Sequence, residues 1–118
     1  MELETKYLEQ KLEELEEERE EIIRKMSELE PLRGCIEYKY VLNKIGKKYY
    51  YFYLRRLDGD RLRSIYLGRE IPDTLIKARN DRERLKILKK MLKDTEKKIR
   101  LLEKWIGKNV RENKNKNN

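Results

Sequence analysis

The chain has 118 residues, 46% of them charged and 37% apolar, with a formal net charge of +8. That balance excludes a thick globular core and suits long solvated helices around one compact insert. There is no histidine and one cysteine, Cys35, which excludes zinc sites, histidine general bases and Cys–His nucleophiles built within one chain.

The charge is segregated. Residues 1–30 hold 12 Glu against 5 Lys/Arg, whereas the other 88 hold 26 Lys/Arg against 11 Asp/Glu. Such a basic segment points to a polyanionic partner, or to an acidic helix of the same or another chain. No apolar run reaches the roughly 18 residues that span a bilayer, so no membrane association is expected. A lone cysteine allows no intrachain disulfide, and a reducing cytoplasm is the expected compartment. Cys35 itself reads as a buried structural thiol in preference to a bridge between two chains.

Residues 2–30 read as one helix. Leu8, Leu12, Leu15, Ile22, Met26 and Leu29 alternate spacings of three and four once Arg19 fills one slot, a heptad seam of about three repeats. Arg19 is the one charge on it, expected to lie along the seam with its head in water. Pro31 stops the helix, because the residue before a proline avoids the α region.

From residue 35 to 67 the period shifts to two, and three strands are expected: Cys35–Leu42, Lys48–Leu57 and Arg61–Leu67. Asn43-Lys44-Ile45-Gly46 fits a type I turn followed by a left-handed glycine, a three-residue loop closed by Asn43 and Lys47. Asp58-Gly59 is a strong two-residue hairpin signal. The result is a three-stranded antiparallel meander.

Residues 73–106 return to the helical period, capped by Asp73 or Thr74 after Pro72. Leu85, Leu88, Leu92, Thr95, Ile99, Leu102 and Ile106 form its seam, and Gly107 suits a C-terminal stop. The remainder, 107–118, reads as a disordered polar tail. The expected fold is therefore α+β, a single domain over 1–106. Its two helices, about 43 and 51 Å long at 1.5 Å per residue, pair as an antiparallel coiled coil with the sheet at one end. Two helices bury little, so a homodimer or higher oligomer through them is expected. The lysines flanking the second seam read as a solvated face, several of them pairing with glutamates of the first helix.

The turns assign the sheet faces. The first loop pairs Tyr40 with Tyr50, Tyr38 with Phe52 and Ile36 with Leu54. The second, with Asp58 and Gly59 as its two loop residues, pairs Leu54 with Arg63, Phe52 with Ile65 and Tyr50 with Leu67. One face then carries Ile36, Tyr38, Tyr40, Leu42, Tyr50, Phe52, Leu54, Ile65 and Leu67, and is expected to sit on the helices. The other carries Tyr49, Tyr51 and Tyr53, with Tyr66 beside Tyr51 and with Lys39 and Arg55 at its margins. Arg61 and Arg63 lie near the second turn. Tyrosine rings stack while their hydroxyls stay wet, and cations draw in phosphates and release counterions. The expected nucleic-acid-binding residues are Lys39, Tyr49, Tyr51, Tyr53, Arg55, Arg61, Arg63 and Tyr66. A Tyr-rich face could equally cover another helix or a second subunit.

The stretch YYYFYLRRLDGDRLRSIYLG, preceded by RGCIEY and followed by REIPDTL, resembles a family of small archaeal and bacterial proteins, some associated with mobile elements. The matching positions are Tyr50, Tyr51, Leu54, Arg55, Gly59, Arg63, Ser64, Tyr66 and Gly68. The resemblance covers about residues 33–100 and implies a meander between two helices. The cysteine cluster of some bacterial members is absent here. At the level of fold alone the chain is also similar to prefoldin subunits.

These readings converge on a protein that is not an enzyme, takes no cofactor, metal or small-molecule substrate, and binds nucleic acid. DNA is expected over RNA, as duplex with low sequence specificity. The alternative is a coiled-coil protein–protein module: an adaptor, a chaperone-like subunit or a host-factor inhibitor.

Overall fold

The computed structural model describes the backbone of residues 2–116 and the side chains of residues 3–108. The fold is α+β: helix α1 (Glu2–Ser27), strands β1 (Cys35–Leu42), β2 (Lys48–Asp58) and β3 (Arg61–Gly68), and helix α2 (Asp73–Lys116). The sheet is antiparallel, in the order β1-β2-β3. The backbone divides into two compact units, Met1–Glu28 with Leu85–Asn118, and Leu29–Arg84, where one domain was expected.

In the first unit the two seams bury one another. Leu15 and Ile22 of α1, and Thr95 and Ile99 of α2, are buried. Arg19 is half-buried between Leu15 and Ile22, as a seam arginine with a solvated head should be. The pairing is antiparallel, since Leu3, Tyr7 and Leu8 near the start of α1 share a hollow with Trp105 of α2. Three ion pairs among the described residues of α1 run along the helix, Lys11–Glu14, Arg24–Glu21 and Arg24–Glu28. Neighbours three or four apart are already held close, so pairing costs less side-chain entropy than bridging two helices.

Both helix ends differ from the sequence reading. The first helix ends at Ser27, before Leu29 and Pro31 are reached. Its last turn tightens through Glu28 N–H donating to the Lys25 carbonyl, while the Ser27 hydroxyl donates to Arg24 O. At its other end α2 does not stop at Gly107 but continues to Lys116. An interior glycine costs about 1 kcal/mol relative to alanine, too little to end a helix by itself. The tail expected at 107–118 is thus helical as far as Lys116, and residues 117–118 lie outside the described residues. Neither Asp73 nor Thr74 caps the start. The Pro72 carbonyl accepts from Leu75 and Ile76, and Asp73 places its charge in the first turn, where the helix dipole favours it.

In the second unit the segment before β1 is fastened to α2. Leu32 N–H donates to the Ala78 carbonyl at 2.9 Å, and Glu30 N–H to Asp81 Oδ2 at 3.1 Å. The Arg82 guanidinium donates to Gly34 O. Leu32 and Leu54 are buried; Ile36, Phe52, Ile65 and Leu67 are half-buried.

The first turn forms as expected. Asn43 N–H donates to Lys47 O, Asn43 Oδ1 accepts from Ile45 and Lys47, and Gly46 has φ 82°. The second turn is displaced by one residue: Asp58 and Arg61 close it, leaving Gly59 and Asp60 as the loop. Gly59, at φ 63°, takes the first loop position, where a type II′ turn requires glycine. Leu54 therefore faces Ile65 instead of Arg63, and Tyr53 faces Tyr66. The register then shifts between Tyr53 and Phe52, so that Phe52 meets Gly68 and Leu67 is the extra residue of a bulge.

Gly34 admits no side chain. Its φ is 94°, and a Cβ there would lie 2.2 Å from the Arg55 carbonyl oxygen and 2.8 Å from Arg56 Cβ. Gly34→Ala is expected to destabilise the sheet unit by about 3 kcal/mol, through backbone strain together with overpacking. Chemical denaturation followed by circular dichroism measures it.

Candidate functional site

Strand alternation puts the odd-numbered residues of β1 and β2, with Leu62, Ser64 and Tyr66 of β3, on one face of the sheet. Val41 faces Tyr49, Lys39 faces Tyr51, Glu37 faces Tyr53, and Cys35 faces Arg55. On the other edge Tyr53 faces Tyr66, and Arg55 faces Ser64. Six of the eight expected residues thus share this odd face: Lys39, Tyr49, Tyr51, Tyr53, Arg55 and Tyr66. Arg61 and Arg63 do not. They face Asp58 and Arg56 on the opposite, even face, and Arg63 Nε lies 3.4 Å from Asp58 Oδ2. The expected pairing of Leu54 with Arg63 already set Arg63 on the face of Leu54, and the observed register keeps both arginines there.

The odd-face rings contact one another. Tyr66 meets Tyr51 at 5.5 Å and Tyr53 at 5.6 Å between centroids, both edge-on. Lysines cover the ends of the row: Lys47 Nζ lies 5.4 Å from the Tyr49 centroid and Lys39 Nζ 5.8 Å from that of Tyr53. Tyr49, Tyr51 and Tyr53 are half-buried, while Tyr66 is exposed.

Glu37 is the acid of this face. Lys39 Nζ lies 2.7 Å from its Oε2, and Arg55 donates from NH1 to Oε1 at 3.3 Å. The ammonium approaches Oε2 closely but off the line an ideal hydrogen bond prefers. The Lys39 ammonium first, and the Arg55 guanidinium after it, hold the Glu37 carboxyl below the usual carboxylate range against partial desolvation. Two of the expected phosphate-binding cations are thus already engaged.

A hollow of about 490 Å³ is walled by odd-face side chains together with Arg56, whose position on β2 is even. Its lining includes Arg33, Cys35, Glu37, Arg55, Arg56 and Leu62. The Arg56 Nε is buried without a hydrogen-bond partner. Cys35 is a free, exposed thiol, correcting the expectation of a buried one: it opens β1 at a sheet edge, where no element among the described residues closes over it.

The even face holds the larger departure. Expected to rest on the helices, it is covered only around Leu54. Tyr38, Tyr40, Leu42 and Tyr50 are 61%, 51%, 57% and 46% exposed. Alternation shows that these side chains share a face, but not that anything lies over it. Tyr38 stacks on Phe52 at 4.6 Å, Tyr50 touches both Tyr38 and Tyr40, and Lys48 Nζ sits 4.7 Å from the Tyr40 centroid. The β1–β2 hairpin therefore shows aromatic rings and lysines on both faces. A signal for this stands in the sequence: from Tyr38 to Leu57 there are six Lys/Arg and no carboxylate. Among the described residues Lys44, Lys47 and Lys48 form no ion pair.

These features define a helix-flanked β-meander with a cationic, aromatic hairpin. Residues 5–77 match a domain of unknown function, DUF6788, and the chain belongs to that family. The match takes in most of α1, the whole sheet and the beginning of α2. No curated protein and no solved structure matches the chain. No helix among the described residues is long and apolar enough to cross a membrane.

The depressed Glu37 pKa makes a pH prediction. An unfolded glutamate titrates near about 4.3. A carboxyl held lower in the fold contributes stability fully present above that value and lost as pH falls through the folded one. Stability of the sheet unit is expected to drop below about pH 4, and Glu37→Gln should flatten that part of the profile. Urea midpoints at pH 7 and pH 3 for both proteins measure the difference.

Proposed function

We propose that this chain is a non-enzymatic, cytoplasmic nucleic-acid-binding protein that uses the β1–β2 hairpin and the tyrosine face beside it. The observation that carries this reading is the uninterrupted positive charge of residues 38–57 on a strand pair whose aromatic rings are shared between both faces. Phosphates are met first by Lys44, Lys47 and Lys48, which among the described residues have no carboxylate to displace. Lys39 and Arg55 engage only by sharing Glu37, so they contribute less than a count of cations implies. The tyrosines pack on sugars and bases. Duplex DNA with low sequence preference is the expected ligand, because backbone contacts position a protein without reading bases.

Arg61 and Arg63 belong to this function only through the even face, where Asp58 already partners Arg63. A second reading is a protein-docking module, favoured by the exposed Tyr38, Tyr40, Leu42 and Tyr50. It predicts that polyanion binding is weak and indifferent to the lysines of the first turn.

The test is a salt titration of affinity for a 20-base-pair duplex and for a single strand of equal length. Removing one phosphate-binding cation should reduce the slope of log affinity against log salt by about 0.9 on duplex DNA. Lys44→Ala/Lys47→Ala/Lys48→Ala is therefore expected to flatten it by nearly three times that amount. Tyr51→Ala/Arg55→Ala should weaken binding while changing the slope by no more than about 0.9. A flat slope for the wild type removes the electrostatic basis of the proposal.

A further inference from the structure

Helix α2 carries a second apolar stripe that its pairing with α1 does not use. Ile87, Met91, Leu101 and Trp105 are 60%, 45%, 54% and 54% exposed. With Asp94 and Lys98 between them they run at spacings of four, three, four, three and four, the same rhythm as the buried seam. At about 100° per residue the two stripes are centred roughly 110° apart around the helix. Helices with two such faces occur where each must pack against two neighbours.

The stripe is complementary to itself. In an antiparallel pairing centred on Glu96, Ile87 of one copy lies opposite Trp105 of the other. Met91 lies opposite Leu101, and Asp94 opposite Lys98. A two-fold axis repeats each contact, so four apolar pairs enclose two opposite-charge pairs. Asp94 and Lys98 are both exposed, and among the described residues neither forms an ion pair within its own chain. Trp105 also borders a hollow of about 480 Å³ whose other walls are Leu3, Glu4, Tyr7 and Leu8. Ile87 of the second copy is the side chain that this register brings to it.

We infer that the Ile87–Trp105 stripe is the surface on which a second copy of this chain docks, antiparallel, α2 against α2. A parallel arrangement is disfavoured because it sets Asp94 against Asp94 and Lys98 against Lys98. Antiparallel pairing brings like flanks together, so Lys90, Lys97 and Lys104 of the two copies run side by side, and Arg84 meets Lys108 at each end. These contacts repel and are screened by salt. The dimer is therefore expected to tighten as ionic strength rises, the opposite sign to nucleic-acid binding. The inference does not depend on the proposed function, and its test contains no nucleic acid.

Sedimentation equilibrium of the full chain at 100 and 500 mM salt tests it. The wild type should be dimeric at micromolar concentration, more so at the higher salt, and Leu101→Glu should be monomeric. Asp94→Lys and Lys98→Asp should each weaken the dimer about tenfold, and the double exchange Asp94→Lys/Lys98→Asp should restore it. Helicity at 222 nm checks that each variant folds; should Leu101→Glu lose helicity, the charge exchange decides. A wild type that stays monomeric at 100 µM overturns the inference. So does a dimer indifferent to a folded Leu101→Glu, or single charge variants that the double exchange fails to rescue.

Discussion

The sheet depends on a short clamp. Three donors fix residues 30–34 to one turn of α2: Leu32 N–H to Ala78 O, Glu30 N–H to Asp81, and Arg82 to Gly34 O. Three antiparallel strands with only Leu32 and Leu54 buried in their unit have little hydrophobic stabilisation of their own. The clamp compensates by fixing where β1 begins. Gly34 then lets the chain pass against the β2 backbone at a distance that no other residue tolerates. Once Cys35 faces Arg55, every later pair of the β1–β2 ladder follows, and so does the face on which each tyrosine stands.

Charge and aromaticity are interleaved with different degrees of commitment. On the odd face Glu37 neutralises part of Lys39 and Arg55, while the tyrosine rings contact one another and the Lys39 and Lys47 ammonium groups. At the first turn Lys47 and Lys48 lie over tyrosine rings, but among the described residues neither they nor Lys44 have a carboxylate partner. Two chemically similar sets of cations therefore differ in how far they are already neutralised. Proximity to Glu37, more than the number of positive residues, ranks them.

Much of this was legible in the sequence. Period-two alternation from Cys35 and the Asn43–Gly46 turn place both strands of the first hairpin and its register, the alternative two-residue loop at Ile45-Gly46 being set aside because it would turn Glu37 and Lys39 to the face of Leu54. The second hairpin was legible in kind but not in register. An Asp-Gly pair serves either as the two loop residues or as the closing residue followed by a type II′ glycine, and local chemistry does not choose between them. Parity survived that slip, so the odd-face tyrosines were assigned correctly, while the partner of Tyr66 was not. The exposure of Tyr38, Tyr40 and Tyr50 was illegible for a different reason: alternation groups side chains but says nothing about coverage. Gly107 misled because a single glycine inside a long, well-patterned helix is a tolerable cost.

The division into two compact units also separates the chain's chromophores. Trp105, its one tryptophan, stands on α2 beside Tyr7 in the helical unit, and the other seven tyrosines all belong to the sheet unit. Emission excited at the red edge of the absorption band, where tyrosine is silent, reports on the helices alone. The near-ultraviolet dichroism of the coupled tyrosine rings reports on the strands. The cooperativity between the two halves can therefore be read from the unlabelled protein by asking whether both signals melt at one temperature.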